Sequence, residues 1–201
     1  MDLGLTGKRV LITGASKGIG RAIAETLAEE GCSLHLASRT EADLARARDE
    51  INEKHGVQVT IHPLDLSEGA NVKKLVADTQ GIDILVNNAG ISRSTPIDHD
   101  DYLDHWQQTL SVLLTAQMVT IRSALPYLRK SLHPRIVNIA STEALGATRF
   151  GSQYTAAKTG VTGLTRSLAV ELGPEGITVN CICPGPIKTG MTSRIPDEAK
   201  D

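Results

Sequence analysis

The stretch Thr13-Gly-Ala-Ser-Lys-Gly-Ile-Gly20 decides the fold class of this chain. It follows a short apolar run, Arg9–Thr13, and leads into residues 19–29, where apolar side chains recur at helical spacing. This order predicts a strand, a tight glycine turn and a helix. Glycines let the turn approach a ligand closely, and the next helix offers free N–H groups and a positive dipole end. Such a turn could be only a turn, but at the first strand–helix junction it predicts a pyrophosphate site.

The same alternation of strand and helix continues along the chain. Further strands are predicted at residues 33–38, 57–62, 82–86, 135–140 and 177–182. Further helices are predicted at residues 41–55, 68–79, 101–130 and 154–172. This pattern predicts an α/β fold of Rossmann type, a doubly wound parallel sheet with helices on both faces in three α/β/α layers. No repeat or linker divides the chain, so we expect residues 1–201 to form a single dinucleotide-binding domain.

Composition excludes several classes of protein. Of the 201 residues, 40% are apolar and 22% are charged, and the formal net charge is -2, which is typical of a globular protein and not of a nucleic-acid-binding one. No stretch approaches the roughly 20 apolar residues that span a bilayer, and the first ten residues do not form a secretory signal. We therefore predict a cytoplasmic protein that binds neither membranes nor nucleic acids.

Cysteines and histidines do not predict a metal site. Cys181 and Cys183 have a C-x-C spacing that fits neither a zinc pair nor the C-x-x-C redox motif, and their segment has the pattern of a buried strand. His99 and His105 lie six residues apart, a spacing that does not stack two ligands on one helix face.

Cofactor choice is predicted from the end of the second strand. Proteins that bind NAD usually place an acidic residue there for the ribose 2'-hydroxyl, whereas those that bind NADP accommodate a phosphate. This chain has Ser38 and Arg39 there, and no carboxylate follows them until Glu41. Arg39 offers a planar donor fork to a 2'-phosphate, and Lys17 in the glycine turn could add a second cation. NADP(H) is therefore favoured over NAD, unless both cations are solvated surface groups.

Two further turns follow the third and fourth strands. After the third strand, Asp65 could accept a hydrogen bond from the adenine amino group while Leu66 covers the ring, or Asp65 could cap the next helix. The sequence Asn87-Asn-Ala-Gly90 follows the fourth strand, where a crevice opens at the carboxyl ends of the strands.

Tyr154 and Lys158 form the candidate acid/base pair. They lie four residues apart at the start of an apolar-periodic helix, so both side chains project from one face. A phenol near pKa 10 needs its pKa lowered by about three units to transfer protons at neutral pH, and one cation at about 4 Å supplies roughly that energy. Ser141, just beyond the fifth strand, could donate to a substrate oxygen as charge develops on it. A Tyr-x-x-x-Lys pair alone is typical of an ordinary exposed helix.

In combination, these motifs and the final Pro184-Gly-Pro-Ile-Lys-Thr-Gly-Met191 resemble the short-chain dehydrogenase/reductase superfamily of classical type, including its 3-oxoacyl-ACP reductase-like members. The resemblance implies hydride transfer between a nicotinamide cofactor and a carbonyl or secondary alcohol. It implies Tyr154 as the proton donor or acceptor, Ser141 as the anchor of the substrate oxygen, and Lys158 on the ribose hydroxyls. The predicted cofactor-binding residues are Gly14, Ser16, Lys17, Gly18, Ile19, Gly20, Ser38, Arg39, Asp65, Leu66, Asn87, Ala89, Gly90, Tyr154, Lys158, Pro184, Gly185, Ile187 and Thr189.

The resemblance also implies a homo-oligomer, a dimer or tetramer formed through the two long helices. The chain departs from the family pattern in two ways. Leu113 stands where members generally have an asparagine that relays protons to the lysine, so the relay would run through a backbone carbonyl, a shifted water, Thr109 or Gln117. Members also continue some fifty residues further. Either the given sequence is truncated or this is a shortened member, and we expect the lid over the substrate and the last edge strand to be absent.

Two hypotheses remain open from the sequence. The first is an NADPH-dependent reductase of ketones or 3-oxoacyl compounds, or the corresponding alcohol dehydrogenase. The second is a dinucleotide-binding protein with a regulatory or structural role and little turnover. Substrate identity is not predicted, although Thr142, Glu143, Gln153 and residues 92–96 are candidates for the wall of the substrate pocket.

Overall fold

A computed structural model describes residues 3–190 of the chain, and the last residue of the predicted proline-glycine motif, Met191, lies outside them. Six parallel strands form one sheet in the order β3-β2-β1-β4-β5-β6. The strands are β1 (Arg9–Thr13), β2 (Ser33–Ser38), β3 (Val59–Pro63), β4 (Ile84–Asn87), β5 (Arg135–Ile139) and β6 (Thr178–Ile182). The helices are α1 (Gly18–Glu29), α2 (Glu41–His55), α3 (Gly69–Asp78), α4 (Tyr102–Leu110), α5 (Ala116–Leu128) and α6 (Ser152–Leu172).

Two apolar clusters cover the two faces of the sheet. On one face, Ala24 of α1 and Leu44 of α2 pack with strand residues such as Ile12. On the other face, the buried residues include Leu75 of α3 and Leu128 of α5, which pack with strand residues such as Leu11. Because neighbouring residues of a strand point to opposite faces, Leu11 and Ile12 serve different clusters. The predicted three-layer, doubly wound α/β fold is confirmed.

The predicted elements form with small shifts at their ends, except for one. Residues 101–130 are not a single regular helix, because the π-helical segment Ser111–Thr115 lies between α4 and α5. A π-helical turn is wider than an α-helical one, so it changes the direction in which the following side chains point. Leu113 within this segment is fully buried. Regular apolar periodicity alone does not predict such a local widening.

The strand order changes direction between β1 and β4, which are hydrogen-bonded neighbours. In open parallel sheets a crevice forms at this switch point, outside the carboxyl ends of the strands. The glycine turn follows β1, and the turn beginning at Asn88 follows β4. The fold therefore brings these two predicted turns to one edge of the sheet. β6 forms an edge of the sheet, and within residues 3–190 no further strand pairs with it.

Candidate active site

A cleft of about 460 Å³ runs along the carboxyl ends of the strands. It lies within the size range of ligand and cofactor pockets, roughly 300–1,000 Å³. It is lined by these predicted site residues: Gly14, Ser16, Lys17, Gly18, Ile19, Ser38, Arg39, Asp65, Leu66, Ala89, Gly90, Ser141, Tyr154, Lys158, Pro184, Gly185, Ile187 and Thr189. Two predicted residues, Gly20 and Asn87, lie outside this lining. The cleft is also lined by residues that were not predicted individually: Thr40, Asp43, Leu64, Asn88, Ile91, Val112, Ile139, Ala140 and Gly190.

The glycine turn needs its glycines for backbone conformation and for close contact. Gly14 has φ +67°, and a Cβ atom there would lie 2.7 Å from the Cα atom of Ala89. Gly18, the first residue of α1, has φ +57°. The residue before it, Lys17, makes no side-chain cap to the helix. The N-terminus of α1 thus faces the cleft through a glycine-rich backbone, which fits a pyrophosphate group.

Gly20 lies behind the turn rather than in the cleft. A Cβ atom at Gly20 would lie 2.4 Å from Nδ2 of Asn88 and 2.4 Å from the carbonyl oxygen of Gly14. That Asn88 amide donates to the carbonyl oxygens of Thr13 at 3.0 Å and Gly14 at 3.1 Å. Asn88 therefore fastens the glycine turn to the end of β4. The sequence predicted a turn at residues 87–90, but it did not predict that Asn88 would bind the glycine turn.

Asn87 is buried in the sheet and contacts neighbouring elements. Its Nδ2 donates to Oδ1 of Asn138 at 2.9 Å, and Asn138 donates to the hydroxyl of Thr165 at 3.0 Å. This chain of side-chain hydrogen bonds joins β4, β5 and α6. In the described structure, Asn87 holds the floor of the cleft together without lining the cleft itself.

The end of the cleft beside β2 carries both signs of charge. Ser38 and Arg39 line it as predicted, together with Asp43 from the first turn of α2. Nζ of Lys17 lies 2.6 Å from Oδ2 of Asp43, whose side chain is only 13% exposed. Lys17 is thus already paired with a carboxylate at the place where a second cation was expected. Asp43 was not predicted, because the fold of α2, and not a local sequence motif, brings it to the cleft.

Asp65 is not the cap of the following helix, because α3 begins at Gly69 after the residue Glu68. Its Oδ1 instead accepts from the N–H of Ser67 at 2.9 Å. This backbone hydrogen bond lowers the pKa of the Asp65 carboxyl below its ordinary value. Asp65 remains charged in a local turn, beside the buried Leu66, on the wall of the cleft.

Lys158 is the most deeply buried cation of the site. Lys158 is only 3% exposed, and its Nζ donates to the carbonyl oxygen of Ile139 at 2.8 Å. Burial lowers its pKa from 10.5 to about 8. Nζ also lies 5.6 Å from the centre of the Tyr154 ring. The two residues therefore share a helix face, as their spacing predicted, with the ammonium group held at the end of β5.

The pKa of Tyr154 is raised, which differs from the expectation that a neighbouring cation lowers it. Burial of the phenol is the largest cause, the hydroxyl of Ser141 acts in the opposite direction, and the charge of Glu143 adds to the increase. The ammonium group of Lys158 contacts Ile139 instead of the phenol oxygen. At Tyr154, the desolvation of the phenol therefore outweighs the interactions that stabilise its charged form.

Leu113 lies close to Gly90, in the turn after β4. The family pattern has an asparagine at the position of Leu113. Its Cδ2 would be 3.4 Å from a Cβ atom placed on Gly90. Thr109 and Gln117, the polar residues that could take part in the proton relay in place of the asparagine, are both buried. Neither amide atom of Gln117 has a hydrogen-bond partner among residues 3–190. The contact of Lys158 that the structure shows is with a backbone carbonyl, that of Ile139.

Hydrogen bonds between loops brace the part of the structure near the start of α6, where the sequence predicts the wall of the substrate pocket. Gln153 is fully buried and its Nε2 donates to the carbonyl oxygen of Arg93 at 2.8 Å. The N–H of Thr95 donates to the carbonyl oxygen of Phe150 at 2.8 Å. These contacts hold residues 92–96 beside the start of α6. Gln153 therefore supports the wall of the pocket rather than facing into it.

Residues 3–190 contain neither a metal-ligand cluster nor a membrane-spanning helix. No cluster of three or more His, Cys, Asp or Glu side chains could hold a metal ion in this part of the chain. None of the helices described for the same residues is both long enough and apolar enough to cross a membrane. Cys181 and Cys183 are half-buried at the end of β6, and burial raises the pKa of the Cys181 thiol.

Fold and cleft together define a Rossmann-type dinucleotide-binding oxidoreductase, and comparison with known proteins specifies the family. The model of the short chain dehydrogenase family matches residues 8–200. The chain is 41% identical over 199 residues to a D-beta-hydroxybutyrate dehydrogenase of Rhizobium meliloti, an alignment that covers 96% of this chain and 77% of the relative. It is 37% identical over 205 residues to a 3-oxoacyl-acyl-carrier-protein reductase of Aquifex aeolicus, covering 100% and 82%.

Among solved structures, the chain is similar to the L-sorbose reductase from Gluconobacter frateurii complexed with NADPH and L-sorbose. The TM-score is 0.91 at 34% identity, and the match covers 94% of this chain and 73% of that one. The chain therefore belongs to the short-chain dehydrogenase/reductase family. It is a nicotinamide-dependent oxidoreductase that transfers a hydride between its cofactor and a carbonyl or secondary alcohol.

Proposed function

We propose that the protein is an active NADP(H)-preferring reductase of ketones or 3-oxoacyl compounds, working also in the alcohol dehydrogenase direction, and that Tyr154 is its acid/base. The observation that carries this proposal is the convergence of Ser141, Tyr154 and Lys158 on one cleft that begins at the glycine turn. When bound, the nicotinamide supplies or accepts the hydride. Tyr154 gives a proton to the carbonyl oxygen during reduction, and Ser141 donates a hydrogen bond to that oxygen.

Lys158 has two roles in the proposal. Its buried ammonium group lies on the same helix face as Tyr154. In the proposed active complex the ammonium group approaches the phenol oxygen and favours the charged form of the phenol. It also holds the ribose hydroxyls of the cofactor. Leu113 removes one side chain from the family's proton relay, and we propose that the carbonyl of Ile139, which already accepts from Lys158, takes part in its place.

A substrate screen tests the proposed activity. NADPH consumption is measured with a panel of ketones, diketones and 3-oxoacyl thioesters, with NADH in parallel and cofactor binding followed in the same samples. Turnover of any member supports the reductase. Tight NADPH binding without turnover across the panel favours the alternative, a dinucleotide-binding protein with a regulatory or structural role. The intact Ser141, Tyr154 and Lys158 set supports the first function over the second, since a protein that only binds cofactor does not need them.

The preference for NADP(H) rests on Arg39 and on the absence of a carboxylate at the end of β2. The L-sorbose reductase that this chain resembles was solved with NADPH. Asp43 opposes the preference, because its carboxylate lies in the same end of the cleft and occupies Lys17. We propose that Lys17 moves from Asp43 to a 2'-phosphate when NADPH binds, and that Arg39 contributes the larger share of the phosphate contact.

Two substitutions test this cofactor proposal. Arg39→Asp replaces the donor fork by a carboxylate, so the ratio of NADPH to NADH affinity falls by roughly 100-fold, since a charge-assisted hydrogen bond is worth about 1.5–3 kcal/mol. Asp43→Asn frees Lys17 and raises NADPH affinity several-fold with little change for NADH. Binding is measured by titration calorimetry for both cofactors. An unaltered ratio in Arg39→Asp would mean that the 2'-phosphate is bound elsewhere.

Several broader properties complete the proposal. Residues 1–201 act as one dinucleotide-binding domain, the substrate is a small carbonyl or alcohol compound, and the protein works in the cytoplasm. Relatives named above act on a hydroxybutyrate, a 3-oxoacyl group and a sugar, which supports a carbonyl substrate but no single compound. A homo-oligomer formed through the long helices is proposed from family membership, and analytical ultracentrifugation tests it.

A further inference from the structure

Glu143 lies directly beside the proposed anchor of the substrate oxygen. It belongs to the short 3-10 helix Thr142–Ala144, which begins after Ser141. The backbone N–H of Glu143 donates to Oγ of Ser141 at 3.2 Å. This contact orients the serine hydroxyl, since an oxygen that accepts from the backbone has its own proton available for another partner. It also fixes Glu143 two residues from a group that touches the substrate.

The carboxylate of Glu143 is held by neutral donors. It accepts from the N–H of Thr148 at 2.9 Å, from the hydroxyl of Thr148, and from the hydroxyl of Thr155 at 3.1 Å. Thr155 follows Tyr154 in the first turn of α6, so the carboxylate joins the serine turn to the helix that carries the phenol. Among residues 3–190, no lysine, arginine or histidine forms an ion pair with it.

The charge of this carboxylate acts on the reacting groups. It accepts from Thr155, the residue next to Tyr154, and it adds to the raised pKa of the Tyr154 phenol. A substrate carbonyl that contacts both Ser141 and Tyr154 lies in the field of the same carboxylate. Hydrogen bonds from neutral groups hold a carboxylate in place without cancelling its charge, whereas an ion pair would. Any negative charge on the substrate near the reacting carbon is therefore repelled.

We propose that Glu143 is a specificity-determining residue that selects uncharged carbonyl and alcohol substrates against those carrying a carboxylate or phosphate within two carbons of the reacting carbon. This inference rests on the proposed reductase function and narrows its substrate class. Ketones, diketones, polyols and 3-oxoacyl thioesters satisfy the condition at the reacting carbon. Short keto acids do not, because their carboxylate would lie close to a fixed charge of the same sign.

A matched pair of substrates tests the proposal. Ethyl acetoacetate and acetoacetate share the reacting ketone and differ in one negative charge. We expect the wild-type enzyme to favour the ester, and Glu143→Gln to reduce the ester-to-acid ratio of kcat/KM by about tenfold, the effect of one like charge within about 12 Å at an effective dielectric near 20. Glutamine keeps an acceptor for Thr155, so the brace remains. Glu53→Gln, an exposed carboxylate on α2, is the charge-matched control and leaves the ratio unchanged.

A role of Glu143 as a structural brace alone makes a different prediction. In that case Glu143→Gln lowers or preserves both rates together, and an unchanged ester-to-acid ratio overturns the proposal. Thr155→Val, which removes one donor to the brace and keeps the charge, lowers both rates without changing their ratio. A changed ratio in Thr155→Val, as large as that in Glu143→Gln, would also overturn it.

Failure of the reductase function itself is distinguishable from failure of this inference. If the wild-type protein turns over no carbonyl compound, the same two ligands are compared by their dissociation constants from the complex with oxidised cofactor. The pKa of Tyr154 is measured in parallel with tyrosine labelled at the phenol carbon, assigned with Tyr154→Phe. A lower Tyr154 pKa and tighter acetoacetate binding in Glu143→Gln support the inference, and the absence of either change overturns it.

Discussion

The two ends of the cleft are built differently. At one end the backbone forms the surface of the cleft, and at the other end side chains form it. The glycine end, residues 13–20 with Asn88, is shaped by positive φ angles and by carbonyl oxygens that accept from one asparagine amide. The proposed catalytic end, Ser141, Tyr154 and Lys158, is shaped by polar side chains, and burial displaces the pKa values of Tyr154 and Lys158. A defect at the glycine end should therefore affect folding and cofactor binding, and a defect at the catalytic end should affect turnover.

Tyr154→Phe gives the largest expected effect and tests the catalytic end. Loss of the phenol oxygen removes the proposed acid/base, so kcat falls by about three orders of magnitude, within the range typical of general acid/base groups. NADPH affinity stays within about twofold, since the backbone of the glycine end is untouched. Steady-state kinetics and calorimetry measure the two quantities. Tyr127→Phe, outside the cleft, is the matched control, and unchanged turnover in Tyr154→Phe would remove the tyrosine from the mechanism.

Gly20→Ala tests the glycine end through stability. The added methyl group meets the Gly14 carbonyl oxygen and the Asn88 amide at 2.4 Å, so the turn has to open. We expect a loss of about 2–3 kcal/mol in the free energy of unfolding, the upper part of the range for overpacking, together with weaker NADPH binding. Urea denaturation measures the first effect. Gly69→Ala, where no atom lies within 4 Å of the new methyl group, should leave stability close to that of the wild type.

Lys158→Met tests whether the buried charge of Lys158 lowers the stability of the fold. The folded-state pKa of about 8 lies below 10.5, so between these values the unfolded state binds more protons and wild-type stability rises with pH. Below pH 8 the buried charge costs on the order of 2 kcal/mol after allowing for the lost bond to Ile139. Lys158→Met should therefore be more stable than wild type at pH 7, and the difference should disappear toward pH 10.5. A constant difference across this range would contradict the burial argument.

Leu113→Asn has the smallest expected effect. It tests whether proton relay limits turnover at the catalytic end. An amide at this position restores a hydrogen-bonding side chain near Gly90, so turnover rises by a few-fold if proton relay limits the rate. The same change places a polar group in a fully buried site, which costs about 1–3 kcal/mol of stability if the amide finds no partner. Kinetics and thermal unfolding are measured together. A rate that stays equal or falls would remove the relay from the explanation.

Much of the fold follows from periodicity in the sequence. Alternating apolar runs and helical spacing predict the parallel sheet, and the order of the elements places the crevice beside β1 and β4. The π-helical segment Ser111–Thr115 was not predicted, because a single widened turn hardly changes apolar periodicity. Strand ends shift by one or two residues for a similar reason, since apolar side chains continue beyond the last ladder hydrogen bond.

Motif spacing predicts where the candidate site residues lie, but it does not predict contacts between distant elements. Tyr154 and Lys158 share a helix face because they are four residues apart. The pairing of Lys17 with Asp43 depends on how α2 packs beside the glycine turn, which no local pattern reveals. The direction of the Tyr154 pKa shift depends on burial, and burial is a property of the packed structure.

The contact between Asn88 and the glycine turn has a consequence for the order of folding. Its amide reaches back 74 residues to Gly14, so the turn is completed only after β4 has docked beside β1. Contacts of such long sequence separation form late because the intervening chain must first be ordered. A chain still emerging from the ribosome without β4 would hold an open turn. Cofactor affinity would therefore serve as a reporter of long-range order, appearing only when the centre of the sheet is assembled.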